Sequence, residues 1–188
     1  AGSGTRMGSM LPKQFLDLGG KPIIQRTIEK FIYAFPEVHI VTVLPKDHIE
    51  YWKKCCIEND FHCPQMIVEG GITRFHSVKN ALSKVPEGAI VAIHDGVRPL
   101  ITEQTITDCV NTTNEKGNCI TCIPATETFV VRQEDCSLEI PTRANSLIAR
   151  APQCFRLKDI LEAHYKARES GRHDFIDSCT MMSYYGHQ

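Results

Sequence analysis

VHIVTVLPKDHIEYWKKCCIENDFHCPQMIVE, residues 38–69, is the stretch whose reading decides the fold. VHIVTVL (38–44) is apolar along its length and rich in β-branched residues, the composition of a strand buried on both faces. KDHIEYWKKCCIEN (46–59) reads as a helix, and QMIVE (65–69) as a second, short strand. Strand, helix and strand in that order make a parallel pair joined by a right-handed crossover.

The same alternation extends in both directions. Upstream, Pro22 suits a helix start. Ile23, Ile24, Thr27, Ile28, Phe31, Ile32 and Phe35 then follow a helical stripe. Downstream, Thr73 is placed to cap a helix carrying Val78, Ala81, Leu82 and Val85. AIVAIHD (89–95) is another buried strand. Thr102 caps a further helix that ends at Gly117, and NCITCIPA (118–125) is the next strand. The expectation is an α/β, Rossmann-like fold: a mostly parallel sheet flanked by helices. Residues 126–150 break the pattern and read as a protruding β-hairpin or arm, turning near Gln133 to Ser137. Two helices are expected at about 156–170 and 174–185.

Length and composition bound the function classes. At 188 residues and 42% hydrophobic, the chain fits one domain with a real core. A net charge of −1 gives no bulk attraction to nucleic acid. There is no apolar run long enough for a membrane span and no visible signal peptide. Nine cysteines, an odd number without a paired framework, suit free thiols in a reduced cytosol. The Cys119–Cys122 pair lies in a strand, not at a helix start, so a redox or metal motif is disfavoured. In such a fold a strand is expected ahead of residue 1, and another beyond the closing YYGHQ.

The chain opens on AGSGTRMGSMLPKQF (1–15). Glycines let backbone N–H groups converge on one point, a concavity that suits phosphate oxygens. Arg6 and Lys13 add a donor fork and a mobile point charge beside it. Neither a Walker loop nor a dinucleotide fingerprint is present. In a parallel sheet the ligand lies at the carboxyl ends of the strands. The glycine loop, Glu69-Gly70-Gly71 and His94-Asp95-Gly96 are therefore expected to meet in one crevice. Asp95, at the end of a buried strand, suits Mg²⁺ or a substrate hydroxyl. His94 reads as strand-end packing, and Thr73 as a cap.

Together with EGGITRFHSV (69–78), AIHDGVRPL (92–100) and ARAPQCF (149–155), that opening resembles the 2-C-methyl-D-erythritol 4-phosphate cytidylyltransferase family. D-ribitol-5-phosphate cytidylyltransferases share its scaffold, of the nucleotide-diphospho-sugar transferase type. The resemblance covers nearly the whole chain. It implies that CTP and a polyol phosphate give a CDP-polyol and pyrophosphate, with Mg²⁺. It implies catalytic roles for Arg6 and Lys13, at the α-phosphate and the leaving pyrophosphate. Nucleotide contacts fall to Ala1, Gly2, Ser3, Gly4, Thr5, Gly70, Gly71, Arg74 and Ser77. The polyol phosphate falls to Asp95, Arg98, Thr128 and Arg143, with Asp95 also the metal ligand. Thr128 and Arg143 sit on the arm, and Arg143 matches an arginine that reaches a neighbouring subunit, which implies a homodimer with exchanged arms.

Three departures lie on the polyol side. The family's lysine after the threonine is Val130 here. Its Gln-Thr-Pro-Gln is Arg150-Ala151-Pro152-Gln153, and its Thr-Asp is Ile176-Asp177. Methylerythritol phosphate is the expected acceptor and ribitol 5-phosphate the alternative. A nucleotide-binding module without catalysis is the alternative from another class.

Overall fold

The computed structural model describes residues 11–187. The strand–helix–strand unit forms as expected. β1 (Ile40–Leu44) and β2 (Gln65–Glu69) pair in parallel, with Ile40 opposite Gln65 and Leu44 opposite Glu69. α2 (Ile49–Glu58) connects them after a short 3₁₀ turn at Lys46–His48. α2 buries Trp52 against Phe15 and Phe61. The Trp52 indole N–H donates to Gln65 Oε1 at 3.0 Å, and the Thr42 hydroxyl donates to the same oxygen at 2.7 Å. One glutamine carbonyl thereby satisfies two polar groups that burial would otherwise leave costly.

The helix termini follow the chemistry of their residues. α1 (Ile23–Ala34) begins after Pro22 and buries Ile24, Ile28 and Phe31. α3 (Arg74–Leu82) is capped by Thr73, and α4 (Glu103–Lys116) by Thr102, whose hydroxyl accepts from the Thr105 N–H at 3.1 Å. Such a cap is worth about 1 kcal/mol. Gly117 ends α4 with φ of 100°, a conformation glycine adopts without strain.

The second sheet keeps the expected α/β fold but adds antiparallel pairs to it. Its strands are β3 (Ile90–Ile93), β4 (Asn118–Pro124) and β7 (Leu147–Arg156), in the order β3-β7-β4. β7 runs antiparallel to both neighbours. The reason is the connection. Between β4 and β7 the chain makes no crossover helix; it goes out along the arm and returns, so it re-enters the sheet reversed. The described sheets are thus mixed, with the parallel pair confined to β1 and β2.

The arm contains the short antiparallel pair β5 (Val131–Arg132) and β6 (Leu138–Glu139), closed by a turn at 133–137. It exposes Phe129, Val130, Leu138, Ile140 and Leu147. α5 (Leu157–Glu169) follows β7 directly. α6 (Ser178–Tyr184) starts four residues later than expected, where Asp177 supplies the cap. One core gathers Phe75, Val91, Phe155, Ile160 and Met181 beneath α3, α5 and α6; another gathers Phe15, Ile28, Leu44 and Trp52. No helix among the described residues is long and apolar enough to cross a membrane.

Candidate functional site

The site grows from the carboxyl ends of β1, β2 and β3. At the end of β2, the Gly70 N–H donates to Leu44 O at 2.8 Å, which ties the loop to β1. The Gly71 N–H donates to Ser77 Oγ at 3.0 Å, and the Ser77 hydroxyl donates to Thr73 O at 3.0 Å. Asn80 Nδ2 reaches Glu69 O at 3.1 Å. Ser77 is only 3% exposed. Its hydroxyl is spent on the loop backbone, so it shapes the Gly70–Gly71 turn from beneath. Gly71 has a steric reason to be glycine. A Cβ there would stand 2.3 Å from the Cβ of His76 and 3.0 Å from its carbonyl carbon.

Beyond β3, Asp95 joins two arginines. Arg74 Nη1 donates to Oδ1 at 2.8 Å and Arg98 Nε donates to Oδ2 at 2.8 Å. Burial pushes the Asp95 carboxyl up, but the Arg98 hydrogen bond and the charge and hydrogen bond of Arg74 outweigh it. The net shift is below the usual carboxylate range. Arg74, expected on the nucleotide side, thus has its guanidinium committed to the Asp95 cluster. The loop itself is fixed from α1, where the buried Thr27 hydroxyl donates to Gly96 O at 2.9 Å. His94 packs on the Phe31 ring at 5.1 Å, and its Nε2 meets Arg98 O at 3.1 Å. Burial lowers its pKa, which favours the neutral ring.

The metal expectation at Asp95 does not fit this placement. Each carboxylate oxygen already accepts from a guanidinium, and two fixed cations oppose a third. Among the described residues no group of three or more His, Cys, Asp or Glu side chains could hold a metal ion.

Lys13 is exposed on a 3₁₀ turn, Lys13–Phe15, that is anchored from within. The buried Phe15 ring lies 5.0 Å from Tyr51 and 6.2 Å from Trp52. Ala1, Gly2, Ser3, Gly4, Thr5 and Arg6 lie outside the described residues. Thr128 and Arg143 are exposed on the arm, with no hydrogen bond or ion pair to the Asp95 cluster among the described residues. All nine cysteines, Cys119 and Cys122 included, are free thiols.

Two side chains near the cluster, named above at motif positions on the polyol side, were given no role there. Asp177 caps α6, accepting from the Thr180 N–H at 2.8 Å and the Thr180 hydroxyl at 2.7 Å. It lines a small cavity of about 10 Å³ together with Arg74. Gln153 lies buried on β7 and accepts from the Cys179 N–H at 3.1 Å. The capping signal Asp-Ser-Cys-Thr was legible in the sequence; the Gln153 contact spans 26 residues and was not.

The chain is similar to known proteins along most of its length. The chain matches the family IspD, 2-C-methyl-D-erythritol 4-phosphate cytidylyltransferase, over residues 1–188. It is 39% identical over 185 residues to the 2-C-methyl-D-erythritol 4-phosphate cytidylyltransferase of Porphyromonas gingivalis, covering 98% of this chain and 80% of that protein. It is 41% identical over 192 residues to a ribitol-5-phosphate cytidylyltransferase of Vibrio parahaemolyticus, covering 99% and 81%. The solved structure of 4-diphosphocytidyl-2C-methyl-D-erythritol synthase from Anaerococcus prevotii superposes with a TM-score of 0.80 at 21% identity. That match covers 92% of this chain and 78% of the other, a likeness of fold.

Proposed function

The chain belongs to the IspD family of 2-C-methyl-D-erythritol 4-phosphate cytidylyltransferases, and from that premise we propose the following reaction. The enzyme transfers CMP from CTP to 2-C-methyl-D-erythritol 4-phosphate, giving 4-diphosphocytidyl-2-C-methyl-D-erythritol and pyrophosphate. The observation that carries the reading is the family match along the whole chain, residues 1–188.

An oxygen of the acceptor phosphate attacks the α-phosphorus of CTP. The new P–O bond forms as the bond to the pyrophosphate oxygen breaks. Both reactants are anions, so positioning and charge are what the protein supplies. The rigid Gly70–Gly71 turn, braced by Ser77, offers backbone groups to the cytidine. Arg6 and Lys13 meet the charge that develops on the α-phosphate and the leaving pyrophosphate. Arg74 and Arg98, held side by side by Asp95, face the acceptor phosphate. Magnesium, when bound, would be held mainly by the phosphates of CTP and would offset part of their charge.

The arm makes a homodimer and carries Thr128 and Arg143 to the neighbouring site. Its exposed Phe129, Val130, Leu138 and Ile140 support that assembly. Nine free thiols support a reduced, cytosolic setting.

A second reading, transfer to D-ribitol 5-phosphate, is favoured by the 41% identity to the Vibrio protein. One experiment separates the two. The protein is incubated with CTP, Mg²⁺ and each polyol phosphate, and pyrophosphate release and product mass are followed. Formation of the methylerythritol product is expected. CDP-ribitol as sole product would overturn the acceptor assignment. No product from either would leave a nucleotide-binding module.

A further inference from the structure

Gln153 is 5% exposed in β7, the middle strand of its sheet. It stands opposite Ile93 on β3 and Ile120 on β4. Residues directly opposite one another in an antiparallel pair share a face. Ile93 packs against the core beneath α3, α5 and α6, so Gln153 points to that side. There its Oε1 accepts from the Cys179 N–H at 3.1 Å. That N–H belongs to the first turn of α6, where donors have no partner within the helix.

Two acceptors divide those donors. Gln153 takes Cys179. Asp177 takes the N–H and the hydroxyl of Thr180, and the Cys179 thiol donates to it at 3.1 Å. Asp177 is thereby held in one orientation, lining the same cavity as Arg74. Arg74 is in turn shared with Asp95 at 2.8 Å. Hydrogen bonds run from the sheet to α6 and Asp177, and across the shared cavity the charge of Arg74 acts on the Asp177 carboxylate. The Gly70–Gly71 turn has different supports, namely Leu44, Ser77 and Asn80.

We propose that Gln153 is a positioning residue for the acceptor half of the site, holding the first turn of α6, and with it Asp177, against the Arg74–Asp95 pair. The inference rests on the reading that this pair faces the acceptor phosphate. Without the Gln153 carbonyl, the half-buried Cys179 N–H loses its side-chain acceptor. The Asp177 cap would then be the remaining side-chain support at the start of this seven-residue helix among the described residues.

The test uses two variants of the whole protein. Gln153→Met keeps the volume and removes the acceptor. Gln153→Glu keeps an acceptor oxygen. Hydrogen exchange at the Cys179 and Thr180 amides reports on α6 independently of catalysis. Steady-state kinetics then separate the two substrates. In Gln153→Met, exchange at Cys179 should speed up by about tenfold or more, the scale of one lost buried hydrogen bond. KM for the acceptor should rise by about tenfold with KM for CTP nearly unchanged. Gln153→Glu should restore both. Unchanged Cys179 protection in Gln153→Met overturns the proposal. So does an equal rise in both KM values, the mark of a merely structural role. If the wild-type protein used neither polyol phosphate, the acceptor reading would fall, while the exchange data would still decide whether Gln153 holds α6.

Discussion

Replacing His164 with leucine should stabilise the protein, and the gain should grow in acid. His164 lies in α5, is 5% exposed, and neither ring nitrogen has a hydrogen-bond partner among the described residues. Its ring sits 4.5 Å from that of Phe75, beside Val78, Phe175 and Met181. Burial, then the charges of Lys79 and His76, push its pKa down to about 4. Arg74 and Asp177 line the same cavity, and the His173 ring stacks near Phe75 and His76. The folded pKa is below the unfolded value of about 6.5. The unfolded chain therefore takes up the proton first, and stability falls as pH drops from about 6.5 towards 4. At pH 5 the unfolded imidazole is favoured by protonation roughly 30-fold more than the folded one, or about 2 kcal/mol. At pH 7.5 this term vanishes, leaving only the cost of burying unpaired nitrogens, about 1–3 kcal/mol. His164→Leu removes both. Urea unfolding followed by the fluorescence of Trp52, the single tryptophan, measures the gap at the two pH values. The variant should be more stable at pH 7.5, and the gap should widen by about 2 kcal/mol at pH 5. Parallel pH profiles for the two proteins would refute the reasoning.

Three further outcomes follow from the site and the arm. Gly71→Ala forces a Cβ into His76; it should weaken CTP binding, read by calorimetry, and lower stability by about 1–3 kcal/mol, and wild-type CTP affinity would count against a close-packed nucleotide turn. Asp95→Asn removes the charge between two arginines; kcat/KM for the acceptor should fall by about 10²-fold with CTP binding retained, and an equal loss of CTP binding would contradict the division of the site. Leu138→Asp with Ile140→Asp charges the exposed arm; light scattering should show a dimer become a monomer, and a monomeric wild-type protein would refute arm exchange.

Much of the fold was legible because its signals are local. β1, α2 and β2 announce themselves by β-branched content and helical spacing within one window of sequence. Thr73, Thr102 and Gly117 mark helix ends through the chemistry of single residues. β7 was not legible. LIARAPQCFR carries two arginines and a proline and has no clean alternation. It becomes a strand because β3 and β4 flank it on both sides, a long-range cause. The late start of α6 has a similar origin. Arg172 lies over the Phe175 and Tyr184 rings, at 5.1 Å and 4.4 Å, and that packing belongs to the loop before Asp177. Within the candidate site, Gly70–Gly71 and Asp95 were singled out because strand ends attract ligands in such sheets. Of the partners of Asp95, Arg98 stands three residues on in the same motif and was readable as a brace, whereas Arg74 is 21 residues away and arrives only through the docking of α3.

On the proposed function, the position of Asp95 poses a physical question: why a carboxylate would stand where two anions must meet. Two guanidinium groups placed together repel, and each would turn towards solvent. A carboxylate between them reverses that balance at short range. Each arginine spends one N–H on it, and an arginine has five such donors. The triad keeps a net positive charge, with donors remaining to meet phosphate oxygens in a planar array. On this account Asp95 acts by placing cations and takes no proton itself, in keeping with its lowered pKa. A metal at the same carboxylate would compete with the arginines it organises. The acceptor half of the site then depends on the spacing of the two arginines, which is why loss of the Asp95 charge should act on the acceptor before the nucleotide.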